Sequence, residues 1–440
     1  MRITRSLASI ALIAVATATA SAQQRPPIRQ LGAISSKSTE VLGGVQGVRQ
    51  LPDGRVIVND VPKRRVLLFD PALSTFTVIA DSTSATANAY SGRIGGLIPY
   101  KGDSSIFVDP FALSMLVIDG SGKVARVMSV PRSQDAIAFA TGATIDPAGH
   151  LIYRASNLPN LAGRNLVTGP GGFTPPDIPD SAAIVRIDLA TRNLDTLGWI
   201  KTQKIKFDIA RDDNGMRITS QTNPLPTVDD WAVLNDGTVA FVRGHDYHVD
   251  FVGPDGKRVS ATKVPFDWQR LTDEDKVAFL DSLKAARARL GANAPNIGFG
   301  GAGGGGGGPQ IVIAGGPGGG GGPPPGGAAG GGNVRVTGPG GQNANLQTQF
   351  VPASDLPDYK PPFFANSTRA DNDGNLWIRT IPTKAIPGGP VYDVINHKGE
   401  IVERVQVPEN RTIVGFGSDG TVYLANRVDT SVFLEKAKVR

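Results

Sequence analysis

A short polar turn followed by an uninterrupted apolar run recurs six times along the chain. The copies are PDGRVIV, KGDSSIFV, PAGHLIY, NDGTVAFV, NDGNLWI and SDGTVYL, beginning at Pro52, Lys101, Pro147, Asn235, Asn372 and Ser418. Asp-Gly between apolar runs predicts a tight hairpin, because glycine accepts the positive φ that such a turn requires. The runs are continuous, whereas a half-exposed strand would alternate, so these strands are expected to be covered on both faces.

A second hairpin follows the first in five of the six units, which predicts four-stranded sheets. When residues 157–181, 204–223 and 267–358 are set aside as insertions, the units recur about every 46 residues. Four strands at this period are typical of a β-propeller blade, which cannot fold alone and packs on its neighbours. The fold class predicted is therefore all-β, a six-bladed propeller.

The sixth unit ends one strand short. Its strands are expected at residues 414–425 and 431–439, and the chain then stops at Arg440. Unassigned sequence, Ile28 to Val45, precedes the first hairpin. We predict that this segment supplies the outer strand of the sixth blade and so removes an exposed edge.

With these blades in place, the chain resembles the six-bladed propellers of the NHL and TolB-like group over nearly all of residues 23–440. The resemblance rests on the repeated Asp-Gly blade motif. Residues 372–380, NDGNLWIRT, also resemble the Gly-x-Leu-Trp-Ile blade motif of sensor propellers, once only. The resemblance implies the architecture and leaves the function open.

The longest insertion, residues 267–358, combines a predicted helix with a glycine-rich stretch. Thr272 is the expected cap of a helix at about 273–290, with Phe279 and Leu283 on its apolar face. Residues 291–341 contain 25 glycines. Such a stretch buries too little apolar surface to offset its chain entropy, so a disordered loop is predicted at about 291–349.

All three insertions are expected on one face of the ring, beside the central opening. They fall in connections between the second and third strands of a blade or between blades, which open on the same face. Polar residues that follow the second strands face the same way, and they are the predicted ligand-binding set: Asn59, Asp60, Asp109, Arg154, Asn157, Arg243, Arg379, Asn426 and Arg427. Mixed Arg, Asp and Asn would suit a polar or anionic ligand. Alternatively, these charges pair among themselves as loop residues.

The densest cluster of titratable residues contains His245, Asp246 and His248, which are candidates for acid-base or metal chemistry. No third histidine lies nearby in the sequence, so the spacing is not specific for a metal. Asp60 and Asp109 are weaker candidates for metal ligands, together with His245. The tryptophans Trp231, Trp268 and Trp377 could line a sugar site or pack in the core.

Composition excludes several functions. The 440 residues include 55 glycines, 33 prolines and no cysteine, which rules out disulfides and thiol catalysis. A net charge of +6 gives no reason to expect nucleic-acid binding. No Gly-x-Ser-x-Gly motif occurs, and the glycine run lacks the lysine of a phosphate loop.

The first 22 residues have the order of a secretory signal. Arg2 and Arg5 precede an apolar run, and Ala20-Ser21-Ala22 is a small-residue cleavage site. We predict a secreted or periplasmic protein made of residues 23–440. No second long apolar stretch occurs, so no membrane span is expected.

Two functions follow from the sequence. The first is an exported scaffold that binds a protein, peptide or polar small ligand at the insertion-bearing face, as a monomer and without a cofactor. The alternative is an enzyme, because lactonases and quinone-dependent dehydrogenases also use six-bladed propellers with a metal on the axis. Calcium or zinc would then be expected, and the residues to test are Asp60, Asp109, His245, Asp246 and Asn426.

Overall fold

The structure is a computed structural model that describes most of the chain. The described residues are 25–83, 90–156, 178–204, 206–212, 215–290, 334–337, 343–384 and 386–439. The predicted signal peptide, residues 1–22, lies outside these ranges. No helix of the described part is long and apolar enough to cross a membrane.

Two short strands precede the ring, and the first three blades follow them in chain order. These strands are β1 (Ile28–Gln30), β2 (Ile34–Lys37), β3 (Gly47–Gln50), β4 (Val56–Asp60), β5 (Arg65–Phe69), β6 (Phe76–Ala80), β7 (Gly96–Pro99), β8 (Ser105–Asp109), β9 (Ser114–Ile118), β10 (Val124–Ser129), β11 (Thr144–Ile145), β12 (Leu151–Arg154), β13 (Ser181–Ile187) and β14 (Leu194–Lys201). A short helix that the sequence did not predict, α1 (Ala136–Gly142), joins blades two and three. In each of these three blades the strands run in chain order from the axis outward.

The second half of the chain contains the other three blades and most of the inserted elements. Its strands are β15 (Lys206–Asp212), β16 (Gly215–Thr222), β17 (Asp230–Val233), β18 (Val239–Arg243), β19 (His248–Val252), β20 (Arg258–Ser260), β21 (Val334–Thr337), β22 (Asn343–Phe350), β23 (Phe363–Ala370), β24 (Leu376–Thr380), β25 (Val391–Ile395), β26 (Ile401–Gln406), β27 (Arg411–Phe416), β28 (Thr421–Val428) and β29 (Ser431–Lys438). The inserted helix is α2 (Asp273–Leu290). Six four-stranded antiparallel blades form the ring, which confirms the predicted propeller.

The hydrophobic core is divided among the interfaces between blades. One cluster of buried side chains lies at each of the six interfaces, including the one between the last blade and the first. The second strands β4 and β8 are buried along their whole length, as continuous apolar runs predict. Each blade therefore depends on both neighbours for burial.

The amino-terminal segment closes the ring, as predicted, through β2. This strand pairs antiparallel with β29 as the fourth strand of blade six, with Ile34 opposite Ala437. The earlier part of the same segment differs from the prediction: β1 pairs in parallel with β26 and becomes a fifth strand of blade five. We call residues 25–37 the strap, because they run across the edges of two neighbouring blades.

Strands from two of the insertions form a separate four-stranded sheet. The hairpin of β15 and β16 comes from one insertion, and the hairpin of β21 and β22 comes from the other. Strands β16 and β22 pair in parallel over seven positions, from Met216 opposite Ala344 to Thr222 opposite Phe350. The predicted loop of about 291–349 thus includes the strands at 334–337 and from 343 onward, which pair with each other and with β16. The rest of the predicted loop lies outside the described residues.

Helix α2 begins at a reciprocal cap. The Asp275 N–H donates to the Thr272 hydroxyl at 3.2 Å, and the Thr272 N–H donates to the Asp275 carboxylate at 3.0 Å. Replacing Thr272 by Ala is expected to cost about 1 kcal/mol of helix stability, because the N–H of the first turn loses its acceptor. Hydrogen exchange across α2 measures this change. Thr272→Ser keeps the hydroxyl and should exchange almost as slowly as the original chain; equal losses in both variants would contradict a role for the cap.

Candidate functional site

The predicted site residues of blade one are buried and hold loops together. The amide of Asn59 donates to the Gly95 carbonyl at 2.7 Å, and its side-chain oxygen accepts from the Tyr90 hydroxyl at 3.1 Å. Both contacts reach residues just before or within blade two. Asn59 therefore links neighbouring blades.

Asp60 and Asp109 also use their carboxylates to hold neighbouring loops. Asp60 accepts the N–H groups of Gly43 and Gly44 at 3.0 and 3.1 Å, and it pairs with Arg65 at 2.9 Å. Asp109 accepts from the backbone and hydroxyl of Ser91 and from two N–H groups of the following turn. Their oxygens are engaged by these donors.

Arg243 and the neighbouring histidine lie in a network of ion pairs. Arg243 contacts Asp229 and Asp250, both at 2.8 Å. His248 lies 2.7 Å from Asp246 and 3.3 Å from Asp250. Although burial acts to raise it, the pKa of Asp246 is lowered on balance by the hydrogen bond and charge of His248.

The remaining predicted residues are spread around the face. His245 and Arg427 are exposed, and Asn426 donates to Glu435 at 2.6 Å. The Nε of Arg379 is buried and has no hydrogen-bond partner, while its guanidinium lies 5.1 Å from the ring centre of Phe364. Asn157 lies outside the described residues.

The described residues do not bring these candidates together around one ion. Within the ranges given above, no group of three or more His, Asp or Glu side chains is placed to share a metal. Asp60 and Asp109 accept hydrogen bonds from other loops, Asp60 from Gly43 and Asp109 from Ser91. The tryptophans differ in burial: Trp377 is buried in the core, and Trp268 is 41% exposed.

A cavity of about 360 Å³ lies on the axis of the ring, where the innermost strands of all six blades meet. Helix α1 contributes part of its wall through Phe139 to Gly142. Three charged side chains line this cavity: Arg154, Asp230 and Arg369. Of these, only Arg154 belongs to the predicted set.

Arg154 lines the cavity and forms no ion pair with a described residue. It ends β12, and its side chain is accessible to solvent within the cavity although protein surrounds it. No described residue accepts a hydrogen bond from its guanidinium. Removal from bulk water lowers the pKa of Arg154, and the negative charge of Asp230 opposes that effect.

Asp230 begins the inner strand of blade four and is almost completely buried. Its carboxylate accepts the N–H groups of Ser367 and Thr368 at 2.8 and 2.9 Å and that of Trp231 at 2.9 Å. Burial raises the pKa of Asp230, and the backbone N–H groups act against that rise. The carboxylate thus ties blade four to blade five and forms no close ion pair with either arginine.

The sequence does not point to Asp230 and Arg369 when only the residues that end the second strand of each blade are considered. The available signal was the polar stretch NSTR, residues 366–369, inside the inner strand β23. Most of the other inner strands carry fewer polar residues. Polar residues at such a position face the axis, where a cavity can form.

Comparison with known proteins yields only distant likenesses. No protein-family model matches the chain, and no curated protein matches it. A gluconolactonase from Xanthomonas campestris has 10% identity and a TM-score of 0.39, covering 94% of this chain and 97% of its own. The calcium-binding protein regucalcin from Agrobacterium tumefaciens has 11% identity and a TM-score of 0.39, covering 93% and 97%. Virginiamycin B lyase from Staphylococcus aureus has 12% identity and a TM-score of 0.37, covering 90% and 95%. Similarity this low says nothing about activity.

Proposed function

We propose that the protein binds a small anionic ligand in its axial cavity, with Arg154 as the principal contact. The observation that carries this proposal is a guanidinium that lines the axial cavity and forms no ion pair with any described residue. A buried or half-enclosed cation is costly unless a partner compensates it, and a carboxylate or phosphate matches the forked donors of arginine. The other polar groups of the wall, such as Gln46 and Thr144, could add hydrogen bonds.

The size of the cavity favours a small molecule over a protein segment. About 360 Å³ lies at the lower end of the range of small-ligand pockets. Elsewhere on this face, Arg243 and Asp60 form ion pairs within the protein. Their charges are therefore less available to a binding partner. We therefore propose that the ligand binds at the central opening of this face.

Replacing Arg154 by Gln should weaken the binding of small carboxylates or inorganic phosphate at least tenfold, since a charge-assisted hydrogen bond contributes about 1.5–3 kcal/mol. Isothermal titration calorimetry measures this change. Arg427→Gln is a matched control, because Arg427 is an exposed cation on the same face that does not line the cavity. Unchanged affinity in Arg154→Gln, or equal losses in both variants, would refute the proposal.

An enzyme is the second candidate function, favoured by one observation. A buried carboxyl with a raised pKa in a cavity wall, as at Asp230, is typical of groups that transfer protons. The metal-dependent versions, a lactonase-like hydrolase or a quinone-dependent dehydrogenase, would need ligands other than Asp60 and Asp109. Following the same small acids and their lactones for turnover would separate catalysis from simple binding.

A further inference from the structure

The two arginines of the cavity flank Asp230, and neither is neutralised by it. Arg154 comes from blade three, Asp230 from blade four and Arg369 from blade five. The charge of Asp230 affects the pKa of Arg154, and Arg369 affects that of Asp230, so all three are near neighbours. No carboxylate of a described residue forms an ion pair with either arginine.

Arg369 is held in place by backbone carbonyls. Its Nη1 donates to the carbonyls of Asn366 and Thr368 at 3.1 and 2.9 Å. These residues belong to an irregular part of β23 between its pairs Phe363–Thr380 and Thr368–Ile378, where Asn366 has a φ of 56°. The Nε and Nη2 donors form no hydrogen bond to a described residue, so one edge of the guanidinium is oriented and unused.

Thr368 adds no contact for a ligand. The residue is 4% exposed and lines the cavity, but its Oγ1 is covered by protein and has no partner at hydrogen-bond geometry. The hydroxyl lies near enough to Asp230 to help lower the pKa of that carboxyl. Thr368 therefore serves as a control position in the cavity wall.

Building on the proposed function, we infer that the ligand carries two anionic groups, one bound by Arg154 and the other by Arg369. The carboxylate of Asp230 accepts three N–H groups and forms no ion pair with either arginine. A ligand with a single charge would leave one of the two guanidinium groups without an ion-pair partner among the described residues. A small dicarboxylate, or an acid that carries one carboxylate and one phosphate group, would compensate both.

The test compares matched acids on the full mature chain by calorimetry. Succinate and glutarate carry two carboxylates, butyrate carries one, and phosphonoacetate carries a phosphonate and a carboxylate. We expect the better dicarboxylate or phosphonoacetate to bind about tenfold tighter than butyrate, since a second charge-assisted contact is gained. Which of the two classes binds tighter identifies the second anionic group.

Substitutions in the cavity wall test which residues bind the second anionic group. Arg369→Gln should reduce the affinity for the dianion about tenfold, to the level of butyrate, and leave butyrate binding unchanged. Thr368→Val and Thr141→Val are the controls and should leave both affinities unchanged. The Thr368 Oγ1 is covered by protein, and the Thr141 hydroxyl bonds the Ile137 carbonyl of its own helix.

The outcomes separate this inference from the proposed function. If butyrate binds as tightly as the dianions, or if Arg369→Gln weakens butyrate as much as the dianion, the inference is overturned while anion binding at Arg154 stands. If no anion binds the original chain, both fail. Thermal melting of Arg369→Gln shows whether its effect arises from binding or from a loss of folded protein.

Discussion

Deletion of the strap, residues 25–37, is expected to lower the free energy of unfolding by about 5 kcal/mol or more. Blade six loses its fourth strand, and the bonds of Leu31 and Gly32 to Gln406 and Lys438 are lost as well. Each backbone hydrogen bond contributes about 1 kcal/mol, and burial of a leucine such as Leu31 contributes about 2 kcal/mol. The ion pair of Arg29 with Glu403 disappears too.

Thermal melting and limited proteolysis of the deletion variant measure this loss. A permuted chain provides the control: residues 33–45 are moved behind residue 439 through a tight turn, which is feasible because Gly32 donates to Lys438. This variant restores the strand without the original connection and should recover most of the stability. A deletion variant that melts like the original chain would show that the ring closes without the strap.

The ring could be predicted from sequence because its signals are local. Each Asp-Gly hairpin lies within one blade, and the missing strand after residue 439 called for a partner from the amino terminus. The pairing of β1 with β26 has no such signal, since both segments look like ordinary edge strands. The sheet that joins β16 to β22 was also unpredictable, because its partners lie more than a hundred residues apart and one of them follows the glycine-rich stretch.

The site could be predicted only in part, and the reason is physical. Polar residues at strand ends serve two purposes, because the turns there need capping groups as much as a ligand needs contacts. Asp60 accepts an N–H group of the segment before β3, and Asp109 caps its own turn. Arg154 has the same position in its blade but projects into the cavity. The residue type at a strand end does not distinguish these cases. The hydrogen-bond and ion-pair partners of each side chain in the structure do.

Replacing Asp230 by Ala is expected to cost about 3 kcal/mol of stability, the second largest effect. The N–H groups of Ser367 and Thr368 would lose their acceptor in a buried interface between blades, at about 1–3 kcal/mol for each unsatisfied group. Asp230→Asn keeps an acceptor oxygen in the same place and should cost much less. Chemical denaturation of both variants gives the comparison.

The dependence on pH follows from the raised pKa of Asp230. Burial favours the neutral carboxyl, so above the ordinary value of 3.8 the folded chain binds this proton more tightly than the unfolded chain does. This residue therefore makes stability fall as the pH rises through that range, and Asp230→Asn should remove that contribution. The same substitution removes a negative charge from the cavity wall, so it should bind small anions several-fold tighter at neutral pH. Loss of anion binding in Asp230→Asn would instead mean that the carboxylate itself contacts the ligand, and the assignment of the anionic groups to the two arginines would fail.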